Sequence, residues 1–209
     1  MIRALFGGTF DPIHCGHINT ALALLRELNI DRLHLMPNAV PPHRPQPQAS
    51  SAQRLAMVEL ACQAHPQLCA EAFELNAEPP SYTVKTLQGF KQRYPDDILL
   101  FVMGMDSLVS LDQWYQWQQL TELAHLVVMP RPGYQLQQAS PSLLAFINER
   151  LCQQPQALRD KPQGAIYLAN TPRYDVSATA IREHPQRAAE RGDLPAAVAD
   201  YIEQHQLYH

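Results

Sequence analysis

Several features are missing from this chain, and each absence removes a class of function. No run approaches the ~18 apolar residues that a membrane-crossing helix needs. The opening MIRALFGGTF has neither a long apolar stretch nor a small-residue cleavage site. Both absences predict a cytoplasmic protein with no membrane partner. Basic residues are not in excess, since 16 Lys and Arg stand against 20 Asp and Glu for a net charge of −4. No cationic surface is thus expected to grip a phosphate backbone, and nucleic acid is not an expected partner. The four cysteines, Cys15, Cys62, Cys69 and Cys152, form no CxxC pair, so reduced thiols are expected and no disulfide scaffold or structural zinc site. Repeats, low-complexity tracts and a clear linker are absent too, which predicts one domain over residues 1–209. Nothing decides between a monomer and a homodimer.

What is present is an alternation. Strand-like runs fall at 2–6, 32–36, 69–75, 98–104, 125–129 and 165–168. Helical patterns fall at 16–28, 50–64, 83–93, 142–152 and 194–204. This order predicts an α/β fold: a Rossmann-like, doubly wound parallel sheet with helices on both faces, followed by a small C-terminal helical portion at about 176–209. Ligands of such sheets sit beyond the carboxyl ends of the strands, here Gly7, Pro37, Gly104 and Pro130. Residues 37–47 hold five of the 18 prolines and read as an extended loop.

The most informative stretch is GGTFDPIHCGH, residues 7–17, between the first strand and the first helix. Gly7 and Gly8 permit a sharp turn and a close approach of phosphate to backbone. His14 and His17 are three apart, so on a helical turn they share a face and can meet one phosphoryl group. Backbone N–H groups and the helix dipole are expected around the same point. The spacing matches neither GxGxxG nor a Walker A loop. No further ligand at a sensible distance in sequence accompanies His14, Cys15 and His17, so no protein-held metal is expected.

GGTFDPIHCGH resembles the GxFxPxHxGH signature of the nucleotidyltransferase superfamily, and VSATAIR, residues 176–182, resembles its second signature, ISSTxIR. Between and beyond them, PPHR at 41–44, PSYTV at 80–84, GMDSL at 104–108, WYQW at 114–117, RPG at 131–133 and LPAAVADYI at 194–202 resemble the bacterial nicotinate-nucleotide adenylyltransferases. The resemblance implies transfer of AMP from ATP to nicotinate mononucleotide, with magnesium bound mainly through the ATP phosphates. It implies catalytic roles for His14, His17 and Arg182. ATP contacts would come from Gly7, Gly8, Thr9, Phe10, His14, Gly16, His17, Arg44, Gly104, Asp106, Ser177, Thr179 and Arg182. The nicotinate nucleotide would meet Thr9, Phe10, His43, Thr83, Val84, Trp114 and Tyr115. In this scheme Ser177 and Thr179 also cap the following helix and Trp114 stacks on the pyridine ring, while Trp117 reads as a core or subunit-contact residue.

Two alternatives stay open: a related adenylyltransferase acting on a nicotinamide nucleotide or a phosphopantetheine acceptor, and an inactive nucleotide-binding regulator. The chain departs from the second signature at Val176 and Ala178. Pro185 is expected to end the helix after Arg182 and to leave an irregular connection up to Leu194.

Overall fold

The computed structural model of the chain describes residues 1–39, 46–77 and 81–208. The elements follow in the order β1 (Ile2–Gly8), α1 (Cys15–Leu28), β2 (Leu33–Pro37), α2 (Ser51–Gln63), β3 (Leu68–Ala70), α3 (Thr83–Arg93), β4 (Ile98–Gly104) and α4 (Met105–Leu108). After these come α5 (Leu120–Leu123), β5 (His125–Met129), α6 (Pro141–Arg150), β6 (Leu151–Cys152), β7 (Ile166–Leu168), α7 (Ala178–Glu183), α8 (Pro185–Glu190) and α9 (Ala196–Gln204).

The strands form one sheet in the order β3-β2-β1-β4-β5-β7-β6, and every pairing is parallel. The chain leaves β1 toward β2 and β3, then returns to pair β4 on the other side of β1. That reversal opens a crevice beyond the carboxyl ends of β1 and β4, where ligands of such sheets bind. Gly8 ends one strand and Gly104 the other.

The period-2 alternation of side chains divides the core into two layers. Ala4 and Phe6 of β1, Leu100 and Val102 of β4, and Val127 of β5 pack with α1, α2 and the helices α7 to α9. Leu5, Leu99, Phe101, Leu126 and Val128 point the other way, toward α3, α5 and α6. Strands covered on both faces read as nearly unbroken apolar runs, which is why β4 and β5 match the sequence reading to the residue. The helices α7 to α9 add Ile181, Ala188, Val198 and Ile202 to the first layer.

Three expectations about elements are corrected. β3 stops at Ala70, because Glu71 accepts the N–H of Phe73 on its carboxylate and the Ala72 carbonyl accepts from Leu75 and Asn76, which turns the chain. The helix expected to run to Cys152 ends at Arg150, and Leu151 and Cys152 pair with Ile166 and Tyr167 as an edge strand. Two apolar residues after a helix carry no periodicity that separates the two states. Pro185 does end α7, but residues 185–190 form the helix α8 with Pro185 in its first turn, where a missing N–H costs nothing. No helix among the described residues is long and apolar enough to cross a membrane.

Leu24 on α1 is fully buried in the first layer. Leu24→Ala is expected to lower stability by about 2–5 kcal/mol, read as a lower urea midpoint at an unchanged denaturant slope.

Candidate active site

β1 runs into a turn over residues 9–13 that delivers the chain to α1. Phe10 adopts φ 49, a left-handed conformation uncommon for a side chain of this size. Its ring lies over Gly8, where a Cβ would stand 2.8 Å from the ring. Glycine at position 8 is therefore a condition for the ring's place. Phe10 in turn meets His17 edge-on, with ring centroids 5.1 Å apart and planes at 87°.

His14 is the N-cap of α1 and His17 its third residue. The expected common face is realised as a stack, with centroids 3.6 Å apart and planes at 22°. The His14 N–H donates to His17 Nδ1 at 3.3 Å. In a neutral ring an accepting Nδ1 leaves the proton on Nε2, so His17 is an uncharged donor. Burial holds its pKa well below the ordinary imidazole value, and the neighbouring His14 and the Arg131 guanidinium push it the same way. His14 is only 5% exposed, and burial pulls its pKa down to about 4, with Asp193 opposing and Arg131 reinforcing the shift. Two neutral rings can donate to phosphoryl oxygens without acting as bases.

The expected row of open amides at the start of α1 needs correction, because the Cys15 N–H is already donated to the Asp193 carbonyl at 2.8 Å. Donor capacity there rests chiefly on the imidazoles. Gly16 is buried between the His14 ring and the Val176 side chain, so the two signatures pack against each other.

Arg182, on α7, donates through Nη1 to the carbonyl of Asp11 at 2.7 Å and through Nη2 to Thr179 Oγ1 at 3.3 Å. Residues 171 positions apart in the chain thus share one hydrogen bond. The expected cap by Ser177 is corrected: Ser177 stands at the N-cap of α7, but its hydroxyl makes no cap bond. Ser177 and Thr179 are both exposed.

At the other side of the crevice, Asp106 lies in the first turn of α4, just beyond Gly104. Its Oδ2 accepts from Arg131 Nη1 at 2.8 Å, while its Oδ1 is buried with no partner. A Cβ on Gly104 would collide with that Oδ1. A buried acceptor left unsatisfied is costly unless a ligand donates to it, and a ribose hydroxyl is a donor of the right kind.

The aromatic residues divide. Tyr115 is 51% exposed and lies against Tyr82, ring centroids 4.6 Å apart. Trp114 is half-buried against the second core layer, and Trp117 packs edge-on to Phe146 at 4.7 Å. The Val84 side chain is fully buried, which leaves its backbone N–H as the group that can meet a nucleotide. Thr83 opens α3, whose first-turn N–H groups have no partners within the helix. The expected His43 and Arg44 lie outside the described residues.

Five residues that bear on the site escaped the sequence reading. Arg131 and Tyr82 stood inside noted motifs, RPG and PSYTV, without a role. Arg54 is fully buried on α2 and donates to the Thr9 carbonyl at 2.7 Å. Its signal was available: Arg54 shares the buried stripe of Met57, Val58 and Ala61, an odd place for a charge without a partner. Asp11 accepts from the N–H groups of Gln48 at 2.9 Å and Ala49 at 3.1 Å and from the hydroxyl of Tyr208 at 2.7 Å. For Tyr208 the sequence holds no signal, since its partner is 197 residues away.

Comparison with known proteins identifies the family of the chain. The profile of the cytidylyltransferase-like family matches residues 5–184. A protein of Idiomarina loihiensis named "Probable nicotinate-nucleotide adenylyltransferase" is 55% identical over 208 residues, covering 100% of each chain. One of the same name from Yersinia pestis is 46% identical over 209 residues, covering 99% of this chain and 95% of that one. Among solved structures, the Plasmodium falciparum nicotinic acid mononucleotide adenylyltransferase complexed with NaAD superposes with a TM-score of 0.72 at 16% identity, over 99% of this chain and 96% of that one. At that identity the likeness speaks for the fold. With a profile match over most of its length and relatives alike from end to end, the chain belongs to the cytidylyltransferase-like family and, within it, to the nicotinate-nucleotide adenylyltransferases.

Proposed function

We propose that the protein transfers AMP from ATP to nicotinate mononucleotide, giving nicotinate adenine dinucleotide and pyrophosphate in the cytoplasm. The observation that carries this reading is the contact of Arg182 with Asp11, which sets the guanidinium of the second signature beside the histidine turn of the first, at the mouth of the crevice. The names of the full-length relatives point to the same reaction.

In the reaction, an oxygen of the acceptor phosphate attacks the α-phosphorus of ATP in line with the departing pyrophosphate. One phosphorus–oxygen bond forms as the other breaks, and no proton has to be moved. The protein's work is alignment and charge stabilisation. His17 donates from Nε2 to an α-phosphate oxygen, and His14 supports it through the stack. Arg182, with Ser177 and Thr179 beside it, holds the β- and γ-phosphates. The free Oδ1 of Asp106 takes a hydroxyl of the adenosine ribose. Gly7, Gly8, Thr9, Phe10 and Gly16 shape the floor beneath the phosphates.

Magnesium would be held mainly through the ATP phosphates and water, and would supply charge neutralisation there. Among the described residues no group of three or more His, Cys, Asp or Glu side chains gathers around one point.

On the acceptor side, the amides of Thr83 and Val84 at the start of α3 suit a carboxylate. Tyr82, Trp114 and Tyr115 offer flat faces to a pyridine ring.

With ATP and magnesium, the purified protein should turn over nicotinate mononucleotide at least ~10-fold more efficiently in kcat/KM than nicotinamide mononucleotide, the worth of one charge-assisted hydrogen bond. Pyrophosphate release reads this. Turnover of phosphopantetheine in place of both, or of nothing, contradicts the proposal. His17→Ala should cut kcat about 10²- to 10³-fold while ATP affinity changes far less, because the donor acts on charge that develops in the transition state.

The acid limb of the rate profile follows from the histidines. Both are neutral in the working state with depressed pKa values, so activity should hold as pH falls through 6.5 and be lost only toward pH 4. An inflection near 6.5 that vanishes in His14→Gln would contradict that assignment.

A further inference from the structure

Four groups meet beneath the Thr9 to Asp11 turn, and three of them, Arg54, the Asp11 carboxylate and Tyr208, have no part in the reaction itself. Arg54 donates to the Thr9 carbonyl at 2.7 Å, and Arg182 donates to the Asp11 carbonyl at 2.7 Å. The two guanidiniums thus pin the backbone on either side of Phe10. Between them lies the Asp11 carboxylate, 5% exposed. Its Oδ2 takes the Gln48 N–H, and its Oδ1 takes both the Ala49 N–H and the Tyr208 hydroxyl.

Tyr208 reaches this point by a turn that reverses the chain after α9. Leu207 N–H donates to the Ile202 carbonyl at 3.0 Å, and Tyr208 itself takes φ 65. Leu207 and Tyr208 both pack on the first core layer. A bulky residue in the left-handed region is held there by its surroundings. The phenol is far from ionising, because burial and the Asp11 carboxylate both favour its protonated form. It is therefore a fixed donor.

The geometry points to Tyr208 as a positioning residue for ATP: its hydroxyl occupies Asp11 Oδ1 and so keeps the Arg182 guanidinium on the Asp11 carbonyl, with the remaining donors of Arg182 turned to phosphate. This inference rests on the reading of Arg182 as a phosphate ligand. The physical reason is a competition. Arg182 already touches the backbone of Asp11, and a carboxylate is a far stronger acceptor for a guanidinium than a carbonyl is. Without the phenol, Oδ1 retains only the Ala49 N–H at 3.1 Å. Arg182 would then close on the carboxylate as an ion pair and be withdrawn from the polyphosphate. Arg54 is committed through Nη1 to the Thr9 carbonyl and through Nη2 to Ser51 Oγ at 3.3 Å, while its Nε is buried without a partner.

The test uses Tyr208→Phe, which removes the hydroxyl and leaves the ring to pack. Binding of ATP with magnesium, without acceptor, is measured by calorimetry on the wild-type protein, Tyr208→Phe, Arg182→Ala and the double variant, beside their thermal midpoints. Tyr208→Phe should weaken ATP binding about 10-fold, the scale of one hydrogen bond between charged partners. KM for the nicotinate nucleotide should stay within about twofold, since uniform loss on the ATP side leaves the acceptor side untouched. In the Arg182→Ala background the same change should add nothing to the loss of ATP affinity, because the effect runs through Arg182.

ATP affinity in Tyr208→Phe equal to wild type, with or without a lower thermal midpoint, overturns the inference and leaves a structural tyrosine. A full additional loss in the Arg182→Ala background overturns the route through Arg182. Failure of the wild-type protein to bind ATP would instead overturn the proposed function. The outcomes are thereby separable.

Discussion

Everything at the mouth of the crevice hangs on the hydrogen bonding of one short turn, Thr9 to Asp11. Its two carbonyls and its carboxylate collect donors from α2, α7, the segment before α2 and the turn after α9. A buried carboxylate is tolerated only when its oxygens are satisfied, and here the donors come from segments far apart in the sequence. The turn is thus a junction at which distant segments are held in register. Phe10 takes its left-handed backbone from that confinement, and the placement of His17 follows from Phe10. Disturbing the junction would reach the histidines without touching them.

The sheet explains why this junction sits where it does. β1 is central, flanked by β2 and β4, and the reversal of strand order beside it leaves an opening that helices do not cover. Gly8 and Gly104 end the two strands at that opening, each giving room to a side chain that a Cβ would displace: the Phe10 ring and the Asp106 carboxylate. The two core layers are then a scaffold whose burial energy is independent of the chemistry. Rigid strands carry the residues that have to be accurately placed, and the segments beyond their ends carry variety.

Much of this was legible before any coordinates. The parallel α/β architecture follows from alternation, and β4, β5 and α3 are read to the residue because buried strands and an amphipathic helix carry strong periodic signals. The histidine pair follows from its spacing, and the link between the two signatures from resemblance. Short elements were illegible: β6 is two residues long and α8 six, below the length at which a period shows. At the site, Asp11 and Tyr208 were missed for a shared reason. Each is defined by a partner far along the chain, and a single sequence records which residues are polar but not which ones meet. Ser177 shows the converse, since a residue type that caps helices stands at a helix start without its hydroxyl making the cap.

The stacked imidazoles have a bearing on product departure. Rings kept uncharged by burial and by each other add no cation to a crevice that holds a polyphosphate. Among the described residues, positive charge around the turn comes from the guanidiniums of Arg54, Arg131 and Arg182, and Arg131 is paired with Asp106. Under the proposed function, a cradle built from dipoles would grip the five-coordinate geometry of the transition state through direction more than through net attraction. It would relax its hold once that geometry collapses. Release of a highly charged leaving group would thereby be eased by the same neutrality that suits the rings to donate.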